Sequence, residues 1–204
     1  MYRSKTAKED ARFCEYFGFT DGEVRRMLAD YGLSSHYAET KDWYDGYRFG
    51  EVEIYCPWDV MNSLRDLQRN PKAKPASYWK NTSDNAIIRS FIDYAGSTIT
   101  KKLETLMAGG CIVQRVDENL TYDYLHSSED NLWSTLYLTG YLTKAREGDY
   151  KGELSDGMVA LMIPNAEIKE IFETTVKKWF EDNAKTIDRK ELFDAVWTLS
   201  LIHI

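Results

Sequence analysis

Residues 129–165 read EDNLWSTLYLTGYLTKAREGDYKGELSDGMVALMIPN. Leu132, Trp133, Leu136 and Tyr137 recur at helical spacing, which predicts a helix over residues 129–139 with those four buried. Gly140 breaks it. Residues 141–145 and 158–163 then read as two strands joined by a Gly- and Asp-rich connection, and Pro164 ends the second. A helix followed by an antiparallel hairpin, after several small helices, is the pattern of a winged helix. We place that unit at residues 98–165 and expect a mainly α chain with a small antiparallel β component.

Upstream, Thr20 and Glu23 have capping-box spacing, with Phe19 placed for a hydrophobic staple. Val24, Met27, Leu28 and Tyr31 follow at helical spacing, and Gly32 can stop the helix. Residues 41–55 are aromatic and glycine-punctuated. Asp45-Gly46 is a hairpin-turn dipeptide, so this stretch is expected to be turn or short strand, not helix. The Trp43, Tyr44 and Phe49 side chains are expected to be buried, with Asp45 and Gly46 at the tip. A helix over residues 58–68 should carry Val60, Met61, Leu64 and Leu67 on one face, and residues 70–76, with two prolines, form a loop. Asn81, Thr82 and Ser83 offer caps for a helix with Ile87, Ile88, Phe91 and Ile92. A further helix spans residues 98–107, ends at Gly109-Gly110, and leads into a strand over residues 111–116. Residues 117–130 form an acidic loop anchored by Leu120, Tyr122, Tyr124 and Leu125. Downstream, Asn165 caps a long helix to about residue 183, with Ile168, Ile171, Phe172, Thr175, Val176 and Trp179 on its face. Asp188 caps a last helix through Leu192, Phe193 and Val196.

The composition narrows the functional classes. The chain has 204 residues, 43% hydrophobic and 29% charged, which is long enough for a real core and unlike a disordered chain. No apolar run approaches the length of a membrane span, and residues 1–11 are polar, without a secretory leader. Cys14, Cys56 and Cys111 are odd in number and far apart, so they read as reduced thiols of a cytoplasmic protein. A net charge of -7 argues against a dominant electrostatic grip on nucleic acid.

Recognisable catalytic patterns are missing. There is no G-x-x-x-x-G-K-[ST] loop, no G-x-G-x-x-G after a strand and no G-x-S-x-G elbow. No His lies near a second His or a Cys pair, so zinc spacing fails, and His36 and His126 read as solvated loop residues. The [DE]-x-K pattern of nuclease metal sites occurs at Glu39-Lys41, Asp149-Lys151, Glu167-Lys169 and Asp188-Lys190. With 33 acidic residues that number is close to chance, and Glu167-Lys169 sits on a helix where the chemistry wants a strand edge. As a DNA reader the helix over 129–139 offers Asn131 but no Lys or Arg. Lys144, Arg146 and Lys151 in the wing are interleaved with Glu147, Asp149, Glu153 and Asp156.

Several strings, in order, carry a family resemblance. They are Phe17-Gly18-Phe19-Thr20 with Glu23-Val24, then Trp43-Tyr44-Asp45-Gly46-Tyr47-Arg48-Phe49-Gly50, then Ile54-Tyr55-Cys56-Pro57-Trp58. Tyr78-Trp79-Lys80-Asn81-Thr82-Ser83, Gly109-Gly110 and Asp117-Glu118-Asn119-Leu120-Thr121-Tyr122 follow. Asn131-Leu132-Trp133-Ser134, Thr139-Gly140-Tyr141-Leu142 and Ile163-Pro164-Asn165-Ala166-Glu167-Ile168 complete the series. The chain resembles the AAA-ATPase-like family of bacteria and archaea, whose members usually carry a PD-(D/E)XK nuclease-like domain at the C-terminus. The resemblance spans about residues 11–196, and W-Y-D-G-Y-R-F-G is its most specific element. Cys56 stands where the family usually has Asn.

The resemblance implies a chain that starts after the P-loop core and stops near the nuclease-like domain. Residues 1–97 would then be a helical lid-like region with its aromatic turn at 43–50, residues 98–165 the winged-helix-like unit, and residues 166–198 helices leading to the next domain. The DNA string CTG TCT CTT ATA CAC ATC translates to the last six residues, 199–204. That string is similar to the transposase mosaic end used as a sequencing adapter, so the tail, including His203, is set aside as adapter-derived; the alternative is a native apolar helix end. No cofactor is expected in this region itself, while ATP and magnesium are implied for the parent family. Its partners would be the ATPase core and the nuclease-like domain. A lid cation often approaches nucleotide phosphates, and Arg48 is the candidate, with Asp45 orienting the turn; the alternative is that Trp43, Tyr44, Tyr47 and Phe49 form a core plug and Arg48 pairs locally. Trp43, Tyr44, Gly46, Tyr47 and Phe49 are the surrounding motif and packing residues. The alternative is a stand-alone winged-helix module that binds protein or DNA.

Overall fold

The computed structural model describes residues 14–79, 88–89, 97–120, 128–146 and 148–186. Helix α1, Asp21–Asp30, begins where the spacing predicts. The Thr20 hydroxyl accepts from the Glu23 N–H at 3.4 Å, and the Glu23 carboxylate accepts from the Thr20 N–H at 2.8 Å. This reciprocal cap satisfies two donors the first helical turn would otherwise leave open. Val24 and Leu28 are buried, whereas Tyr31 is exposed.

Helix α2, Tyr37–Tyr44, corrects the expectation that residues 41–55 contain no helix. Strand β1, Tyr47–Phe49, pairs with β2, Val52–Ile54, and Phe49 faces Val52. The hairpin turn therefore falls at Gly50-Glu51, not at Asp45-Gly46. Gly50 adopts φ 59°, the left-handed conformation a two-residue loop requires. Asp45 instead closes α2, where its N–H donates to the Lys41 carbonyl. Tyr44 is fully buried as expected, while Trp43 and Phe49 are only half-buried.

Helix α3, Pro57–Arg69, opens with proline at its first position, where the missing N–H costs nothing. Val60, Leu64 and Leu67 are buried. Met61 is exposed, and the inward face includes Asp59 and Ser63 in its place. Helix α4, Ser97–Met107, strand β3, Ile112–Arg115, and helix α5, Glu129–Leu138, follow. Strands β4, Thr143–Lys144, and β5, Met158–Met162, form the hairpin, and the long helix α6, Ala166–Thr186, completes the described elements. β5 lies centrally, antiparallel to β3 on one side and β4 on the other. The chain is mainly α with two small antiparallel sheets.

Two apolar clusters hold these elements. One joins α1, α2 and α3 through Val24, Leu28, Tyr44, Tyr55, Val60 and Leu64. The other gathers α4, α5, the three-stranded sheet and the start of α6 around Trp133, Leu136, Leu161, Ile168 and Phe172. Residues 81–83, 87, 91, 92 and 121–127, the Trp179 side chain, the helix expected after Asp188, and the segments 1–11 and 199–204 lie outside the described residues. Ile88 is buried in the second cluster.

Candidate functional site

The two clusters meet where the aromatic stretch touches the start of α6. Gly46 has φ 103°, and a Cβ built there would stand 2.1 Å from the Pro164 carbonyl oxygen. Only glycine permits both the backbone angle and that approach. The Asn165 side-chain amide donates to the Asp45 carbonyl at 2.9 Å, while its Oδ1 caps α6 by accepting from the Ile168 N–H at 3.0 Å. The Trp79 N–H donates to Glu167 Oε1 at 2.9 Å, and the Arg48 N–H donates to the Thr143 hydroxyl at 3.0 Å. Strings separated by up to 120 residues in the chain thus interlock through main-chain and side-chain contacts.

Asp45 is buried and faces Lys41, whose Nζ lies 2.7 Å from Asp45 Oδ2. Burial alone would lower the Lys41 pKa, but Asp45 and then Asp21 push it up to about 12. Asp21, which the sequence did not mark, is an ionic hub. Its carboxylate accepts from the Tyr37 and Tyr55 hydroxyls at 2.5 and 2.8 Å and from Arg25 at 2.7 Å. Partial burial opposes ionisation, yet these donors hold the carboxyl well below the usual range. α1, α2 and the end of the first hairpin are pinned together by this one side chain.

The Arg48 main chain joins the junction through Thr143, but its guanidinium turns to the hairpin loop. Its register partner is Glu53, and strand alternation places both on the face opposite Tyr47 and Phe49. Its guanidinium donates to Glu51 at 3.2 Å and to the Gly50 carbonyl at 3.3 Å, so it braces the hairpin turn. Glu51 is 93% exposed, which makes this a weak, exchangeable pair. Asp45 does not contact Arg48; it serves the α2–α6 junction.

Two residues the sequence reading left aside sit at the centre of the junction. Asp59 in the first turn of α3 and Glu167 in the first turn of α6 are both fully buried. Each helix N-terminus favours a carboxylate, and here both point their acids at one another. Burial, followed by the neighbouring Asp59, pushes Glu167 up to about 8. Asp59 is raised by burial as well. The Tyr47 hydroxyl is raised by burial and by the charge of Cys56, Asp59 and Glu167, and burial pushes the Cys56 thiol up to about 12, leaving it unreactive. Among the described residues, five buried side-chain oxygens lack a hydrogen-bond partner. All belong to Asp45, Tyr47, Asp59 and Glu167.

A cavity of about 220 Å³ opens beside the junction, walled by Tyr47, Phe49, Tyr55, Trp79, Tyr137 and Leu142. Its lining is mainly aromatic and aliphatic, with Arg48, Cys56, Thr139 and Thr143 as its polar members, and contains no Asp or Glu. Among the described residues no group of His, Cys, Asp and Glu is arranged to hold a metal ion, and no helix is long and apolar enough to cross a membrane. No family model, no curated protein and no solved structure matches this chain.

Proposed function

We propose that this chain is the non-catalytic coupling region of an AAA-type ATPase-like protein, a lid-like helical unit joined to a winged-helix-like unit and set between an ATPase core and a nuclease-like domain. One observation carries the reading. The separate strings that resemble the AAA-ATPase-like family, W-Y-D-G-Y-R-F-G, Tyr78-Trp79, Thr139-Gly140-Tyr141-Leu142 and Ile163-Pro164-Asn165-Ala166-Glu167, pack on one another at a single junction between the two units. A region that transmits motion between domains needs such a stiff joint. The exposed Trp58 and Met61 on one outer face of α3, with the exposed Tyr16 and half-exposed Phe17, suit a surface covered by a partner domain. In this reading Arg48, whose mostly buried guanidinium is held by the Gly50 carbonyl and the exposed Glu51, would exchange Glu51 for a phosphate.

The alternative, a DNA-reading winged helix, fits less well. Leu132 to Tyr137 in α5 are six consecutive buried residues, so the helix has no face to lay in a groove. The wing cation Arg146 is held by Glu53 through two nitrogens, one at 2.7 Å, and Lys102 is held by Glu129 at 2.6 Å.

The test has two parts. The isolated chain should show no saturable, magnesium-dependent ATP binding, because it carries no phosphate cradle. The genomic locus should encode a P-loop segment in frame upstream. Stoichiometric ATP binding by the chain, or a locus without that segment, would refute the reading.

A further inference from the structure

Asp59 and Glu167 are 108 positions apart in sequence, since 167 less 59 is 108, yet both sit at 0% exposure within hydrogen-bonding reach of each other. Among the described residues no N–H or O–H donor reaches either oxygen of Asp59 or the second oxygen of Glu167, and the Cys56 thiol is the group beside Asp59 that can donate. The remaining Glu167 oxygen takes the Trp79 N–H. Among the described residues, the groups acting on the pair are Tyr44 from α2, Tyr47 from β1, Cys56 ahead of α3, and the main chain at Tyr78 and Trp79. None of these is cationic. Lys41, the cation closest along the chain to Tyr44, is engaged by Asp45 and Asp21. Two adjacent, fully buried carboxylates with no cation beside them among the described residues cannot both ionise at modest cost. A proton held between them supplies the missing donor.

We propose that Asp59 and Glu167 form a one-proton latch that fastens the start of α6 to α3 and loosens when the proton leaves. The proton passes to solvent as the free ion, and no other bond is made or broken. The latch shares the start of α6 with the Gly46–Pro164 and Asn165–Asp45 contacts, so its release weakens the joint at that helix start. The inference rests on the geometry of this pair and stands whether or not the chain couples an ATPase.

The direction of the pH dependence follows. Burial and Asp59 push Glu167 up from 4.5 to about 8, and burial raises Asp59 as well, so the folded pair binds more protons than the unfolded chain. The Glu167 contribution is fully present below about 4.5 and is lost as pH rises to about 8. Carboxyls held low, such as Asp21 and Glu129, act in the opposite sense but at more acidic pH. Between those limits one extra proton corresponds to about a tenfold loss in folding equilibrium constant per pH unit.

Urea unfolding of the whole chain at pH 5.5, 6.5, 7.5 and 8.5 tests this, beside the double variant Asp59→Asn with Glu167→Gln. The wild type should lose on the order of tenfold in folding constant per unit across the middle of this range. The amide pair, permanently neutral and able to bond to itself, should show a flat profile. Infrared spectra of the wild type at pH 6.5 should contain a buried protonated-carboxyl band that fades towards pH 9, with faster exchange of the Trp79 N–H than pH alone explains. A wild type without that band, or equal slopes in the two proteins, would overturn the latch. If the double variant does not fold, the wild-type band and Trp79 exchange decide the matter.

Discussion

Replacing Gly46 by alanine should destabilise the chain by about 3 kcal/mol or more, through left-handed strain combined with overpacking. The added Cβ would meet the Pro164 carbonyl at 2.1 Å in a backbone conformation, φ 103°, that L residues rarely adopt. The obstructing atom belongs to the main chain ahead of α6 and cannot swing aside. Relief requires separating α2 from α6, which also stretches the Asn165–Asp45 bond. Against a usual stability of about 5–15 kcal/mol this loss is large, and at this chain length it corresponds to a fall of about 6–12 °C in melting temperature. Gly22 is the control. It lies inside α1 with nothing near its absent side chain, so Gly22→Ala should be neutral or stabilising by up to about 1 kcal/mol. Thermal melting of the two variants checks both. A Gly46→Ala loss below about 1 kcal/mol would mean that the joint is soft.

Trp133→Ala should cost about 3–5 kcal/mol, the range for deleting a buried aromatic side chain. Trp133 is fully buried in α5, and its indole N–H donates to Glu129 at 3.0 Å. Truncation removes core volume and strips a partner from Glu129, whose carboxylate also receives Lys102. Denaturant midpoints measure the loss. A cost near that of a surface substitution, within about 0.5 kcal/mol, would show that α5 does not anchor the second core.

Much of this architecture was readable from local chemistry. The Thr20–Glu23 box, Pro57 at the start of α3, Gly140 after α5 and Asn165 ahead of α6 each act within a few residues, and each helix begins or ends where that chemistry puts it. The Leu132, Trp133, Leu136 and Tyr137 spacing named the buried face of α5 correctly. The errors arise where a distant partner decides. Asp45-Gly46 has the composition of a hairpin tip, but Lys41 and Pro164 convert it into a helix end and a close approach. Gly50, four residues on, took the turn. Met61 and Asp59 exchanged places relative to the apolar pattern on α3, because the position facing α6 is filled by the acid.

The acid pair shows the same limit more sharply. Glu167 was visible only as a chance [DE]-x-K match on a helix, and Asp59 as an ordinary first-turn acid. Their meaning comes from mutual burial, which no spacing within the chain announces. The string Ile163-Pro164-Asn165-Ala166-Glu167-Ile168 was the available signal, since its polar members sit between residues that pack. Arg48 is the reverse case, conspicuous within its motif but placed at the hairpin tip and braced by Glu51.

The coupling role is tested most directly by ATP turnover in the complete protein encoded at this locus, with and without Arg48→Ala, alongside the melting temperature of each. The account predicts lower turnover in the variant with a nearly unchanged melting temperature, because the Arg48 guanidinium bonds the exposed Glu51 and the nearby Gly50 carbonyl and not a buried acid. Unchanged turnover per folded molecule, or a variant that unfolds, would contradict it.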